Sequence, residues 1–151
     1  MKPAEIGRGI VAGLAATVVL SAMMLAKQSM GLMPELDPID MITSMADASS
    51  PAVGWAGHFV IGTVLWGGGF AIGSPYLPGS YWLRGATFAI GAWLMMMLVV
   101  MPATGAGIFG LALGVMAPAM TLLLHIVFGA VLGGVYGLLG DRRTSAAGYS
   151  H

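Results

Sequence analysis

HFVIGTVLWGG, His58 to Gly68, and HIVFGAVLGGV, His125 to Val135, are two renderings of one phrase, with His, Val, Gly, Val, Leu and Gly at matching offsets. Reading backward from each histidine, Arg8-Gly9 and Arg84-Gly85 each open an apolar stretch, so the recurring unit is two apolar segments joined by a loop. An internal duplication is expected, with repeat one at 6–73 and repeat two at 83–139. Each copy places its histidine inside the second apolar segment.

Composition sets the solvent. Hydrophobic residues make up 58% of the 151 positions and charged residues 8%, whereas a soluble globule normally carries about a quarter charged residues. The charges are also confined: none lies between Arg8 and Lys27, between Asp47 and Arg84, or between Arg84 and Asp141. Uncharged runs of about 20 residues cross a hydrocarbon core of roughly 30 Å as helices. The runs are continuous and do not alternate, so helices are expected and not a barrel. The expected fold is all-α: a polytopic membrane four-helix bundle of two tandem hairpins, with helices at 6–26, 52–73, 83–101 and 118–139. Pro102 and Pro118 read as helix punctuation. A single transmembrane domain covers 1–143, followed by a polar C-terminal tail at 144–151. The first segment has the outline of a signal peptide. Its removal would delete one helix of four, so it is expected to be retained.

Basic residues orient the chain. Lys2 and Arg8 precede the first helix, Arg84 separates the second and third, and Arg142 with Arg143 follows the fourth. A multi-pass cell-membrane protein with both termini cytoplasmic is therefore expected. Lys27 alone lies on the other side, beside an acidic first loop of Glu35, Asp37, Asp40 and Asp47. In that loop Asp37 can cap, and Pro38 can start, a short amphipathic surface helix with Ile39, Ile42, Met45 and Ala46 on one face. The second outer loop, residues 103–117, is apolar and should dip into the bilayer or lie against protein.

Glycine spacing gives the packing. Gly9 with Gly13, Gly69 with Gly73, and the series Gly129, Gly133, Gly137 each bare one helix face and allow close helix approach.

His58 and His125 are the ionisable residues inside the expected spans, which makes them the functional candidates. Gly62 and Gly129 follow one turn deeper on the same faces and would leave a flat space beneath each imidazole. Two such histidines at one depth are candidate axial ligands for haem b, the glycines giving room for the macrocycle. The plainer reading is that each imidazole hydrogen-bonds to a neighbouring helix, a bond worth about 0.6 kcal/mol on average. Absence of any cofactor is the leading expectation, haem b the alternative. Methionines, Met1 aside, gather toward the outer side: Met23, Met24, Met30, Met33, Met41, Met45, Met95, Met96, Met97, Met101, Met116 and Met120. Thioethers with imidazoles suit Cu(I), but three consecutive methionines cannot all face one metal, and flexible core filling accounts for most of them. No cysteine, intramembrane carboxylate or serine beside a base suggests catalysis. Thr17, Ser21 and Thr63 are expected to bond their own backbone.

Arg8-Gly9, the loop with Pro34, Pro38 and Pro51, and Gly57-His58-Phe59-Val60-Ile61-Gly62 resemble the small four-helix membrane proteins of bacteria and archaea catalogued as domains of unknown function. The resemblance implies four helices in a bilayer and no activity. The functional expectation is a non-catalytic accessory or scaffold subunit that packs against itself or other membrane subunits, with lipid around it and no nucleic-acid partner. The alternative is a bis-histidine haem b electron carrier, with a small permeation pathway last.

Overall fold

Long apolar runs without prolines at their centres close their backbone hydrogen bonds within themselves, and helices result. The computed structural model describes residues 3–147, with side chains from residue 5 to residue 140. Helix α1 covers Pro3–Ser29 and α2 covers Pro38–Met45. The rod α3, Pro51–Tyr76, begins as α-helix, turns π-helical at Ile61–Gly67 and closes with a 3-10 turn at Ser74–Tyr76. The rod α4, Tyr81–Ala103, is π-helical at Met96–Val100, and α5 covers Ala117–Ala147. Four of these helices are long and apolar enough to cross a membrane. The all-helical fold is thus the one expected.

The end of α5 departs from expectation. A tail was expected from residue 144, yet the helix runs through Arg142 and Arg143 to Ala147, because DRRTSAA contains no glycine or proline to stop it. Lys2, His151 and the rest of 148–151 lie outside the described residues.

Helix α2 starts where Asp37 and Pro38 place it. The Asp37 carboxylate accepts from the Ile39 amide at 2.8 Å and the Asp40 amide at 3.2 Å, satisfying amides that have no partner within the helix. Its buried face differs from the expected one: Ile39 and Thr43 are buried, while Met45 and Ala46 are exposed. The reason is Gly54. A Cβ there would collide with the Thr43 hydroxyl and the Ile39 carbonyl, so the bare start of α3 admits α2 at backbone contact, and the face that docks is Ile39–Thr43. Lys27 fastens the preceding loop. Its ammonium is buried and donates to the carbonyls of Leu32 at 3.0 Å, Met33 at 2.8 Å and Leu36 at 3.0 Å.

The second long loop divides. Its 3-10 turns at Ile108–Leu113 are broken at Phe109 and Gly110, both in the left-handed region. Ala106, Phe109 and Leu113 pack on Met97 and Met101, while Ile108, Leu111, Val115 and Met116 stay exposed. The first set meets the expectation of contact with protein. Pro102 does not end α4; it sits in the last turn, and the helix reaches Ala103.

Packing follows the small residues. Helix α1 lies against α3 and α5, and α4 lies against α5. A Cβ on Gly9 would strike the Gly67 carbonyl, and one on Gly13 would come to 2.8 Å from the Gly62 carbonyl. Between α4 and α5, Gly85 and Gly129 each present backbone where the other's Cβ would stand, and Gly133 abuts the Tyr81 carbonyl. Gly137 faces the Tyr81 ring. Gly69 and Gly73 correct the expectation: each meets the Phe88 ring at ordinary van der Waals distance, 3.4 and 3.6 Å, with no close backbone approach. One apolar cluster (Ala12, Ala16, Phe70, Ala71, Phe128, Leu132, Tyr136) fills the bundle on the Arg8 side; a second (Leu36, Met97, Met101, Ala106) closes it on the acidic-loop side. Edge-on aromatic pairs extend the first: Trp66–Phe88 at 5.9 Å, Phe70–Phe88 at 5.5 Å and Phe70–Tyr136 at 5.3 Å. Arg8 caps the row, its guanidinium 4.0 Å from the Tyr136 ring centre, a cation–π contact.

Candidate functional site: a cavity between the two hairpins

Between the two clusters lies an apolar cavity of about 270 Å³, near the lower end of the small-molecule range. Every long helix and α2 contribute to its wall. His58 and His125, one from each hairpin, both line it. His58 stands seven residues into α3 and His125 eight into α5, so each is roughly 11 Å along its helix from the acidic-loop end. Thr17 and Thr121 are the other polar residues of the lining, and Met24, Met41, Met45, Met95 and Met96 furnish much of the rest.

Both π-helical segments border this space. Ile61, Gly62, Leu65 and Trp66 belong to one, and Met96 and Val100 to the other. A π turn widens the helix and shifts side chains out of α-helical register, and such turns are frequent at functional sites. From Pro51 to Leu65, α3 packs on α1 and α2; the two rods meet at Trp66, Phe70 and Phe88. Two lining residues, Leu65 on α3 and Met95 on α4, are 54% and 45% exposed.

Hydrogen bonds fix the two rings differently. The Ser21 hydroxyl donates to the Thr17 carbonyl at 2.8 Å and lies 3.2 Å from His58 Nε2. With its proton so used, Ser21 Oγ accepts from Nε2–H, and Nδ1 of His58 keeps a bare lone pair. His125 Nδ1 lies 2.8 Å from the Thr121 carbonyl; a carbonyl can only accept, so Nδ1 carries the proton and Nε2 the lone pair. His58 is buried between Trp55 and Phe59, both at edge-on or near-edge distances of 6.0 and 5.8 Å.

The glycines beneath the rings do not leave the flat space expected of them. A Cβ on Gly62 would collide with the Thr17 hydroxyl, and one on Gly129 with the Gly85 carbonyl. Helix contact, not a macrocycle, fills those positions. His125 has the arrangement common in metal ligation, Nδ1–H on a carbonyl with Nε2 free, whereas His58 offers the opposite nitrogen, Nδ1. The methionines separate as their directions require: Met95 and Met96 line the cavity while Met97 is in the core behind it. Among the described residues no group of three His, Cys, Asp or Glu side chains is placed to hold a metal.

Thr17 bonds the Gly13 carbonyl at 2.7 Å as expected of it. Thr63 does not: its hydroxyl is buried without a partner. Sequence reasoning missed Ser21 as the partner of His58, and Gly54, Gly67 and Gly85 as contact points. Gly62 and Gly67 are five apart, a spacing that belongs to a π turn and does not register in a search at intervals of four.

The chain belongs to a family of unknown function, DUF6789, whose model matches residues 3–147. No curated protein and no solved structure matches it.

Proposed function

We propose that this is a non-catalytic, multi-pass cell-membrane protein that receives a lipid-soluble molecule in the cavity between its hairpins, acting as an accessory subunit. Both termini face the cytoplasm on this reading, supported by the placement of Arg8, Arg84, Arg142 and Arg143. The cavity then lies in the outer half of the bilayer and opens to the acyl chains. The observation that carries the proposal is the meeting of His58, His125 and both π segments on one apolar space whose wall includes the exposed Leu65 and Met95. The two hairpins are read as copies of one unit about an axis along the membrane normal, a relation supported by the matching histidine phrases. The glycine faces no longer argue for a partner subunit, because α1, α3, α4 and α5 use them on one another. The exposed Ile108, Leu111, Val115 and Met116 remain as the surface for one.

Native mass spectrometry of protein released from its membrane tests the proposal. One lipophilic adduct per chain is expected, and Leu65→Trp, which adds bulk to the exposed part of the wall, should remove it. Wild type and Leu65→Trp carrying the same adducts would sink the proposal. Haem b between His58 and His125 is the second reading, favoured by their sharing one cavity. A visible spectrum decides it: a red protein, bleached by His125→Ala, is required.

A further inference from the structure

Resting on the cavity reading above, the hydrogen-bond inventory narrows what the ligand must be. Thr17 and Thr121 line the cavity, but their hydroxyl protons go to the Gly13 carbonyl at 2.7 Å and the Ala117 carbonyl at 2.8 Å. Ser21, behind His58, gives its proton to Thr17. The two imidazoles each direct their N–H to protein and retain a lone pair, on His58 Nδ1 and His125 Nε2, with no partner among the described residues. The polar wall therefore offers two acceptors, and Trp66, which also lines the cavity, carries an indole N–H with no partner among the described residues. A ligand carrying carbonyls meets lone pairs with lone pairs. One carrying hydroxyls donates to both imidazoles and still has oxygen lone pairs for the indole.

The apolar wall speaks to shape. Met24, Met41, Met45, Met95 and Met96 surround the space, and thioethers make favourable contacts with aromatic rings. Trp66 and Phe128 add flat faces. The volume suits one substituted ring, and the exposed Leu65 and Met95 are the part of the wall past which an apolar tail would reach lipid.

We infer that the cavity binds a lipid-soluble hydroquinone, with its hydroxyls donating to His58 Nδ1 and His125 Nε2 and its tail leaving past Leu65 and Met95, and that it discriminates against the corresponding quinone.

The test is titration of full-length protein in nanodiscs with decylubiquinol under reductant, with decylubiquinone, and with farnesol, empty nanodiscs serving as the partition control. Saturable binding of the quinol is expected, about a hundredfold tighter than the quinone, since the quinone leaves two buried acceptors unpaired and each unmade hydrogen bond costs about tenfold. His58→Phe and His125→Phe should each weaken it by about tenfold. Should either variant fail to fold, 15N spectra of histidine-labelled wild type give the same answer: quinol should shift His58 Nδ1 and His125 Nε2 and leave the nitrogens bonded to Ser21 and Thr121 little moved. Equal affinity for quinol and quinone, unmoved ring nitrogens, or farnesol binding as tightly as quinol overturns the inference. If quinol fails while Leu65→Trp still strips a native adduct, the ligand class falls and the cavity reading stands.

Discussion

Each hairpin, α1 with α3 and α4 with α5, carries a histidine in its second long helix, and the two rings have different surroundings. In the first, the Gly62 carbonyl faces Gly13; in the second, Gly129 faces Gly85, the counterpart of Gly9. The pairings differ by one helical turn, and α3 is π-helical at this point while α5 is not. In antiparallel helices a step back along one matches a step forward along the other. A Cβ on Gly62 points at Thr17; one turn back from Gly62 is His58 and one turn on from Thr17 is Ser21, and these two meet. One turn from Gly129 is His125, and one turn further is Thr121, whose hydroxyl, with the Pro118 carbonyl, is bonded by the Trp93 indole at 3.1 and 3.2 Å. Met97 stands where Ser21 stands in the first hairpin, so His125 turns to its own backbone. One residue type in two helices thus acquires two tautomers, decided by the hydrogen-bond partner within reach of each ring.

The strongest way to break the comparison is at the glycine contacts. Gly85→Ala places a methyl against the Gly129 carbonyl, and parting the helices should cost about 3 kcal/mol; Gly9→Ala should cost similarly in the first hairpin. Thermal unfolding in detergent, followed by circular dichroism, measures both. Equal stability of Gly85→Ala and wild type would deny the close approach of α4 and α5.

The two long loops differ next. The first is held by one ammonium on three carbonyls, the second by Phe109 and Leu113 packed on Met97 and Met101. Lys27→Met keeps the aliphatic stem and removes the donor, leaving buried carbonyls unpaired at a cost of about 2 kcal/mol. Hydrogen exchange should rise at 30–37 and stay unchanged at 103–117; a uniform rise would show that the lysine acts on the whole fold.

Ser21→Ala sharpens the comparison of the histidines at a cost of about 1 kcal/mol. The 15N shifts of His58 should move toward a mixture of tautomers while those of His125 hold still. Shifts of both rings, or of neither, would contradict the separate partners assigned to them.

Gly91→Ala is the smallest change. Nothing lies within 4 Å of the Cβ it would add, so stability should stay within about 0.5 kcal/mol of wild type. A large loss there would reveal a contact partner on the α4 surface.

Much of this architecture was legible in the residues. The charge-free runs marked the four long helices, Asp37-Pro38 marked the start of α2, and Gly9, Gly13, Gly129 and Gly133 marked real backbone contacts, because caps, helix length and small-residue spacing act within one segment. Gly69 and Gly73 misled for the same reason: spacing reports a bare face and not what is set against it. The burial of Thr43 over Met45 depended on Gly54, a residue in another helix. Gly62 and Gly129 looked like room left for a ligand, and the backbone and side chains of neighbouring helices fill that room.

From residues alone came the helices, their lengths and the pair of histidines within them, since apolar length and local capping are properties of a segment by itself. The cavity, the partners of each imidazole and the lone pairs left over were decided by tertiary structure. They depend on which turn of one helix lies beside which turn of another, and two π segments reset that register in a way no single segment records.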